Sequence, residues 1–190
     1  MSLEDCSSLV SVIIVNHNGK RFLENCLRSV EKTDWKTYEV IVVDNGSCDG
    51  SQEWLRTISQ SHQNLTTVFI SRNVGPALGR NIGVSLSRGI VLAFLDNDTE
   101  VHEEWLKESM KLFDADHEVG ALQCKLLLRD KKYLLDSVGA YIGQFGFLIQ
   151  RVPIGTADDG QFDYESEIFS TKSAGMLVRR HIFDAVGGFD

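Results

Sequence analysis

Four short apolar runs rich in β-branched residues alternate with four amphipathic stretches before residue 118. The runs are 9–15 (LVSVIIV), 38–43 (YEVIVV), 65–71 (LTTVFIS) and 90–95 (IVLAFL), each bounded by polar turn residues. Apolar residues fill successive positions in these runs, which is the pattern of strands covered on both faces. The intervening stretches repeat at helical spacing. In 21–32, Phe22, Cys26, Ser29 and Val30 share a face with Leu23 and Leu27; in 50–62 the stripe is Trp54, Leu55 and Ile58. Leu78, Ile82 and Leu86 mark 74–87, and Leu106, Met110 and Phe113 mark 103–116. Strand followed by helix, four times over, predicts an α/β fold with a mostly parallel sheet and helices on both faces.

Beyond residue 118 the rhythm changes. Residues 119–128 read as a further strand, 133–152 as a hairpin punctuated by Gly139, Gly143 and Gly146, and 156–167 as an acidic loop. A run at 169–180 and a short helix at 181–186 complete the reading. No Pro/Ser-rich linker divides the 190 residues, so one domain is expected. A net charge of −8, with no basic run, argues against nucleic acid as a partner. No apolar run approaches the length of a membrane span. The start MSLEDCSSLV lacks the pattern of a signal peptide, and Cys6, Cys26, Cys48 and Cys124 form no CxxC pair. These features lead to the expectation of reduced thiols in a cytoplasmic protein, peripheral to the inner membrane face.

In an open α/β sheet, ligands collect where the strands end. Here the four exits are Asn16-His17-Asn18-Gly19, the Asp44–Gly50 loop, Arg72-Asn73-Val74-Gly75 and Asp96-Asn97-Asp98-Thr99. Asn, Asp, Gly and Ser are ordinary turn residues, but four such exits together point to a site. Asp96 and Asp98 would repel each other unless a cation lies beside them, and oxygen donors select a hard ion such as Mg²⁺ or Mn²⁺. The competing reading makes Asp98 or Thr99 the cap of the helix near Glu103. Asp44 can accept from a base imide or a ribose hydroxyl, or merely start a turn while Asp49 caps the next helix. Gly75, Gly79 and Gly83 recur at helical spacing and suit close packing on the sheet. Arg80 and Asn81, between them, are placed to reach a phosphate or base.

The segments VSVIIVNHNG, VIVVDNGSCDGS, NVGPALGRNIG and VLAFLDNDTE resemble the family 2 inverting glycosyltransferases. VDNGSCDGS and the N-x-G stretch are most similar to the rhamnosyltransferase-like branch, and SAGMLVRRHIFDAVGGFD resembles the family's acceptor-side motif. The resemblance implies a GT-A fold that binds a nucleotide-diphosphate sugar of UDP, dTDP or GDP type, and a carbohydrate or lipid-linked acceptor. It implies nucleotide-binding roles for Asn16, His17, Asn18, Asp44, Asn73, Arg80 and Asp96. The metal, Mn²⁺ or Mg²⁺, would be held by Asp98 with Asp96. His17 stands where the family more often has an aromatic residue.

The implied reaction is inverting transfer of a sugar to a hydroxyl, in cell-surface polysaccharide or glycoconjugate synthesis. The family's catalytic base normally follows GGFD, and this chain stops at Asp190, the last residue of that run. The base is therefore expected after Asp190, and a truncated enzyme of little or no activity is expected with it. On that reading residues 1–128 are the nucleotide-binding half and 129–190 an incomplete acceptor-side half. Asp158, Asp159, Asp163, Glu165 and Glu167 are the substitute candidates for the base. The alternative function is a non-catalytic sugar-nucleotide or glycan-binding module. A nucleotidyltransferase is disfavoured because NHNGKR is a poor phosphate loop, and a dehydrogenase because no GxGxxG follows the first strand.

Overall fold

The computed structural model describes residues 9–190, so Cys6 lies outside the described residues. Cys26, Cys48 and Cys124 are free thiols. The expected alternation is present as β1 (Val10–Asn16), α1 (Lys20–Glu31), β2 (Tyr38–Asn45), α2 (Ser51–Ile58), β3 (Leu65–Ile70), α3 (Pro76–Leu86), β4 (Val91–Asp96) and α4 (Trp105–Ala115). β1 pairs in parallel with both β2 and β4, and β3 lies beyond β2. Chain order therefore reverses direction across the sheet at β1, and this is the switch point where a crevice opens.

Alternate strand residues serve opposite layers. Val12, Ile14, Val42, Ala93 and Leu95 pack with Leu23 of α1, Leu55 of α2 and Leu106 of α4. Ile13, Ile41, Val43, Leu92 and Phe94 face the other side, where Val84 of α3 lies. Full burial of each such side chain contributes about 1.5–3 kcal/mol.

The later half departs from the sequence reading in three places. The strand expected over 119–128 is broken into β5 (Ala121–Gln123) and β6 (Leu126–Leu128), which belong to different sheets. The break falls where Cys124 N–H bonds Gly175 O and Lys125 turns to Asp158. The hairpin expected over 133–152 is two pairings. β7 (Lys131–Ser137) folds back on β6, and β8 (Ala140–Ile142) pairs with β9 (Leu148–Gln150). Gly139, at φ 91°, separates them. From 169–180 only β10 (Met176–Arg179) is strand. It inserts antiparallel between β4 and β5, and α5 (Arg180–Val186) then packs Phe183 against Phe94.

Two contacts set the spacing of these layers. A Cβ on Gly83 would lie 2.6 Å from Ile13 Cγ2, so α3 sits closer to β1 than any side chain permits. At the end of the strands away from the crevice, the buried Glu39 carboxylate accepts from Ser11 Oγ (2.7 Å), Arg88 N–H (2.6 Å) and the Arg88 guanidinium (3.0 and 2.9 Å). Burial pushes the Glu39 carboxyl up, but the hydrogen bonds from Arg88 and Ser11 outweigh it and hold the group below its ordinary value of 4.5.

Gly83→Val is expected to lower stability by about 1–3 kcal/mol, the cost of overpacking, read from urea unfolding; unchanged stability would show that α3 can lift off the sheet. The Glu39 contribution has the sign of a depressed carboxyl: present above the unfolded value and lost as pH falls through the folded one. Wild type should therefore exceed Glu39→Gln in stability at neutral pH, with the gap closing below 4.5. A gap that stays constant down to acid pH would remove the carboxylate from the account.

Candidate functional site

The parallel register brings the ends of β1, β2 and β4 together, with Asn16 opposite Asp44 and Val15 opposite Asp96. Over these ends lies a cavity of about 300 Å³. Of the residues predicted from sequence, His17, Asn73, Arg80, Asp96 and Asp98 line it. Asn16, Asn18 and Asp44 do not.

Asp44 is fully buried and its oxygens are taken by protein donors. Oδ2 accepts from Asn16 Nδ2 (2.9 Å), and Oδ1 accepts from Ser47 N–H (3.0 Å) and Gln52 Nε2 (3.0 Å). The free carboxylate expected for direct base contact is thus a loop anchor in this geometry, because the turn after β2 supplies its donors. Asn16 is equally buried, donating to Asp44 and Ser47 and accepting from Asn97 Nδ2 (2.7 Å). Asn18, in the left-handed region at φ 52°, spans to the same loop, its Oδ1 accepting from Cys48 N–H (2.8 Å). A Cβ on Gly19 would meet Asn97 Nδ2 at 1.9 Å, so the Asn16–Asn97 bridge requires glycine at the start of α1.

His17 faces the cavity. Its Nδ1 lies 2.9 Å from Asn45 O, and since a carbonyl only accepts, Nδ1 carries the proton. That leaves Nε2 to accept from Asn18 Nδ2 (3.3 Å). Asn45 and Asn97 were not singled out from sequence, yet both line the cavity. Asn45 holds the turn after β3 through Asn73 Oδ1 (3.0 Å), Gly75 O (3.1 Å) and Val74 N–H (2.9 Å). The signal for both was the Asn that follows Asp at the exits of β2 and β4.

The cation beside the paired carboxylates is, in the first instance, a protein one. Arg80 Nη2 donates to Asp96 Oδ1 at 2.7 Å, with the Arg80 side chain 12% exposed and that of Asp96 42%. Arg80 thus gives one guanidinium nitrogen to Asp96 while its side chain lines the cavity. Asn81, expected to enter the same cleft, instead bonds the backbone of Phe189. Asp98 is exposed at the cavity rim, and no protein donor reaches its carboxylate among the described residues. Neither Asp98 nor Thr99 caps α4, which begins at Trp105 with no side-chain cap. Asp49 does serve helix starts, accepting from Ser51 N–H (3.1 Å) of α2 and from Lys20 N–H (2.9 Å) of α1.

Behind the turn, the buried Cys26 thiol lies 3.7 Å from Asp96 O. Burial, and then the negative charges of Asp98, Asp96 and Glu100, push it up to about 12, so it stays a protonated donor. The acidic loop offers no free base at Asp158 or Asp163. Both pair with Lys125, which holds the Asp158 carboxyl below its ordinary value. Asp159, Glu165 and Glu167 are exposed. Asp190 is exposed as well and forms no part of the cavity lining. The Asn81 clamp on Phe189 holds the chain just before it against α3. The base expected after Asp190 lies outside the described residues.

The donor set suits a hard divalent ion. No group of three or more His, Cys, Asp or Glu side chains converges among the described residues. An exposed Asp98 with the remaining oxygen of Asp96 matches an ion that takes one or two carboxylates and completes its shell from water and phosphate. No helix of the described residues is long and apolar enough to cross a membrane.

The glycosyltransferase AglE of Haloferax volcanii is 39% identical over 103 residues, which are 53% of this chain and 34% of AglE. The mannosyltransferase PcManGT of Pyrobaculum calidifontis, solved in complex with GDP-Man and Mn²⁺, shares the fold over 95% of this chain and 47% of its own. That match has a TM-score of 0.69 at 21% identity. TarS of S. aureus, solved with UDP-GlcNAc, is 28% identical over 62% of this chain and 34% of its own, with a TM-score of 0.57. The chain thus spans about a third of AglE and about half of the PcManGT chain. The model of Glycosyl transferase family 2 matches residues 11–185, which takes in all four strand exits and the inserted β10. With its mostly parallel sheet of GT-A type, the chain belongs to glycosyl transferase family 2.

Proposed function

We propose that this chain binds a nucleotide-diphosphate sugar and a divalent cation at the ends of β1, β2 and β4, and serves inverting transfer of the sugar to a hydroxyl acceptor. The observation that carries the reading is Asp98: an exposed carboxylate on the cavity rim with no protein donor among the described residues, close to an Asp96 already steadied by Arg80. The complexes of PcManGT with GDP-Man and Mn²⁺ and of TarS with UDP-GlcNAc support the ligand class. A carbohydrate or lipid-linked acceptor, a role in cell-surface glycan synthesis and the rhamnosyltransferase-like branch belong to the same proposal.

In this reading Asp98, with the free oxygen of Asp96, would hold Mn²⁺ or Mg²⁺. When bound, the ion supplies positive charge to the departing diphosphate. His17 and Asn73 line the nucleotide side, while Asn16, Asn18 and Asp44 hold the loops that shape it. The acceptor oxygen attacks the anomeric carbon as the bond to the diphosphate breaks on the opposite face, and the acceptor proton passes to a base. Asp158 and Asp163 are unsuited to that role, because a carboxylate held by lysine is a weakened proton acceptor.

A thermal-shift panel of UDP, dTDP and GDP, each with Mn²⁺ or with chelator, tests the reading. A nucleotide at a hundredfold excess over its Kd should stabilise the protein by about 2.7 kcal/mol in Mn²⁺. Asp98→Asn should abolish most of the difference between Mn²⁺ and chelator while the unliganded Tm stays within a few degrees. Equal stabilisation in chelator would remove the metal from Asp98, and no stabilisation by any of the three would remove the donor reading.

Asp44 gives a separate test. Asp44→Ala strands the donors of Asn16, Ser47 and Gln52, so a stability loss of about 1–3 kcal/mol should appear without any ligand. A variant with unchanged stability but weakened nucleotide binding would restore the direct base contact.

A further inference from the structure

Consecutive residues of α3 grip two segments that are far apart in sequence. Arg80 bonds Asp96. The Asn81 carboxamide pairs with both backbone groups of Phe189, donating from Nδ2 to Phe189 O (2.7 Å) and accepting from Phe189 N–H at Oδ1 (3.0 Å). A side chain here gives the two bonds that a strand neighbour would give. Gly187 and Gly188, at φ 88° and 85°, deliver the chain to it, and a Cβ on Gly188 would stand 3.0 Å from Asn81 Oδ1.

Held this way, the Phe189 ring packs edge-on to Phe94 (5.0 Å between centroids) and Phe183 (5.4 Å). Its other neighbour is Arg80, whose Cζ lies 5.6 Å from the ring centroid. Arg80 Nε is buried and has no hydrogen-bond partner among the described residues. Hydrogen bonding alone therefore does not account for the guanidinium pose. One nitrogen is fixed by Asp96, and the Phe189 ring stands beside the group. A long side chain without such a neighbour regains rotamer freedom and swings toward water.

We infer that Asn81 is a positioning residue for the donor site: by fixing Phe189 beside Arg80 it holds the guanidinium, and through it the Asp96 carboxylate. The inference rests on the donor-site reading of Asp96 and Asp98, and adds a residue that touches neither nucleotide nor metal. A purely structural Asn81 would anchor the 187–190 segment without altering Arg80.

Two measurements decide it. The first needs no ligand: the Arg80 Nε–H resonance, assigned by its loss in Arg80→Lys, should exchange slowly with water in the wild type. Asn81→Ala should speed that exchange about tenfold or more by local opening. Phe189→Leu keeps the carboxamide clamp but removes the ring, and should release the same signal; it also serves if Asn81→Ala fails to fold. Unchanged exchange in the variants that fold overturns the inference. The second is a double-variant cycle on UDP or GDP affinity in Mn²⁺. Asn81→Ala should weaken binding roughly 3–10-fold in the wild-type background and less than about 2-fold in Arg80→Gln. Equal losses in both backgrounds overturn the inference. If the wild type binds neither nucleotide with Mn²⁺, the donor-site reading falls, and the Arg80 exchange alone decides this one.

Discussion

The parallel register of β1 between β2 and β4 is the constraint on which the site depends. It places Asn16 beside Asp44 and Val15 beside Asp96, so three chain segments end at one level of the sheet. A slip of one residue in either pairing would turn the buried alternation of Ile13, Ile41 and Phe94 to the wrong layer. The cost of misplacing those side chains holds the polar ends in place. Packing thus positions the chemistry, and the polar residues need only complete it.

Around that edge, the polar groups divide into those that brace and those that remain open. Asp44, Asn16 and Asn45 are buried and bonded to one another's loops. Asp96 is half committed, to Arg80, and Asp98 stands at the rim. The three buried side chains have protein partners, and the outer carboxylate is the one available to a ligand. The raised Cys26 thiol registers the same arrangement from behind, since burial is joined there by the charges of Asp98, Asp96 and Glu100.

The first half of the fold was legible because its information is local. Continuous β-branched runs and helical stripes each predict their own element, and every one of the eight alternating elements occurs near its expected place. In the second half the short helix expected at 181–186 occurs as α5, but the strands were not legible, because β10 takes its place from the partners β4 and β5 rather than from its own four residues. At the site, sequence identified the strand exits but could not distinguish a free carboxylate from a saturated one. Asp44 and Asp98 look alike in the sequence, and only the neighbouring donors Asn16, Ser47 and Gln52 separate them. Asn81 was misplaced for the same reason: its partner, Phe189, lies 108 positions away.

The antiparallel insertion of β10 also bears on how such a chain comes to be folded. On a ribosome the N-terminal residues emerge first, and β1 to β4 with their helices can assemble from nearby contacts. The outer side of β4, from Val91 to Phe94, finds its partner only when residues 176–179 have been made. During that interval an apolar strand presents unpaired N–H and C=O groups, the feature that invites pairing with another chain. β5, earlier in sequence but outermost in the sheet, has no place to dock until β10 arrives. The sheet is therefore completed in an order different from its order of synthesis, and the nascent chain carries an open edge from the end of β4 until residues 176–179 are added.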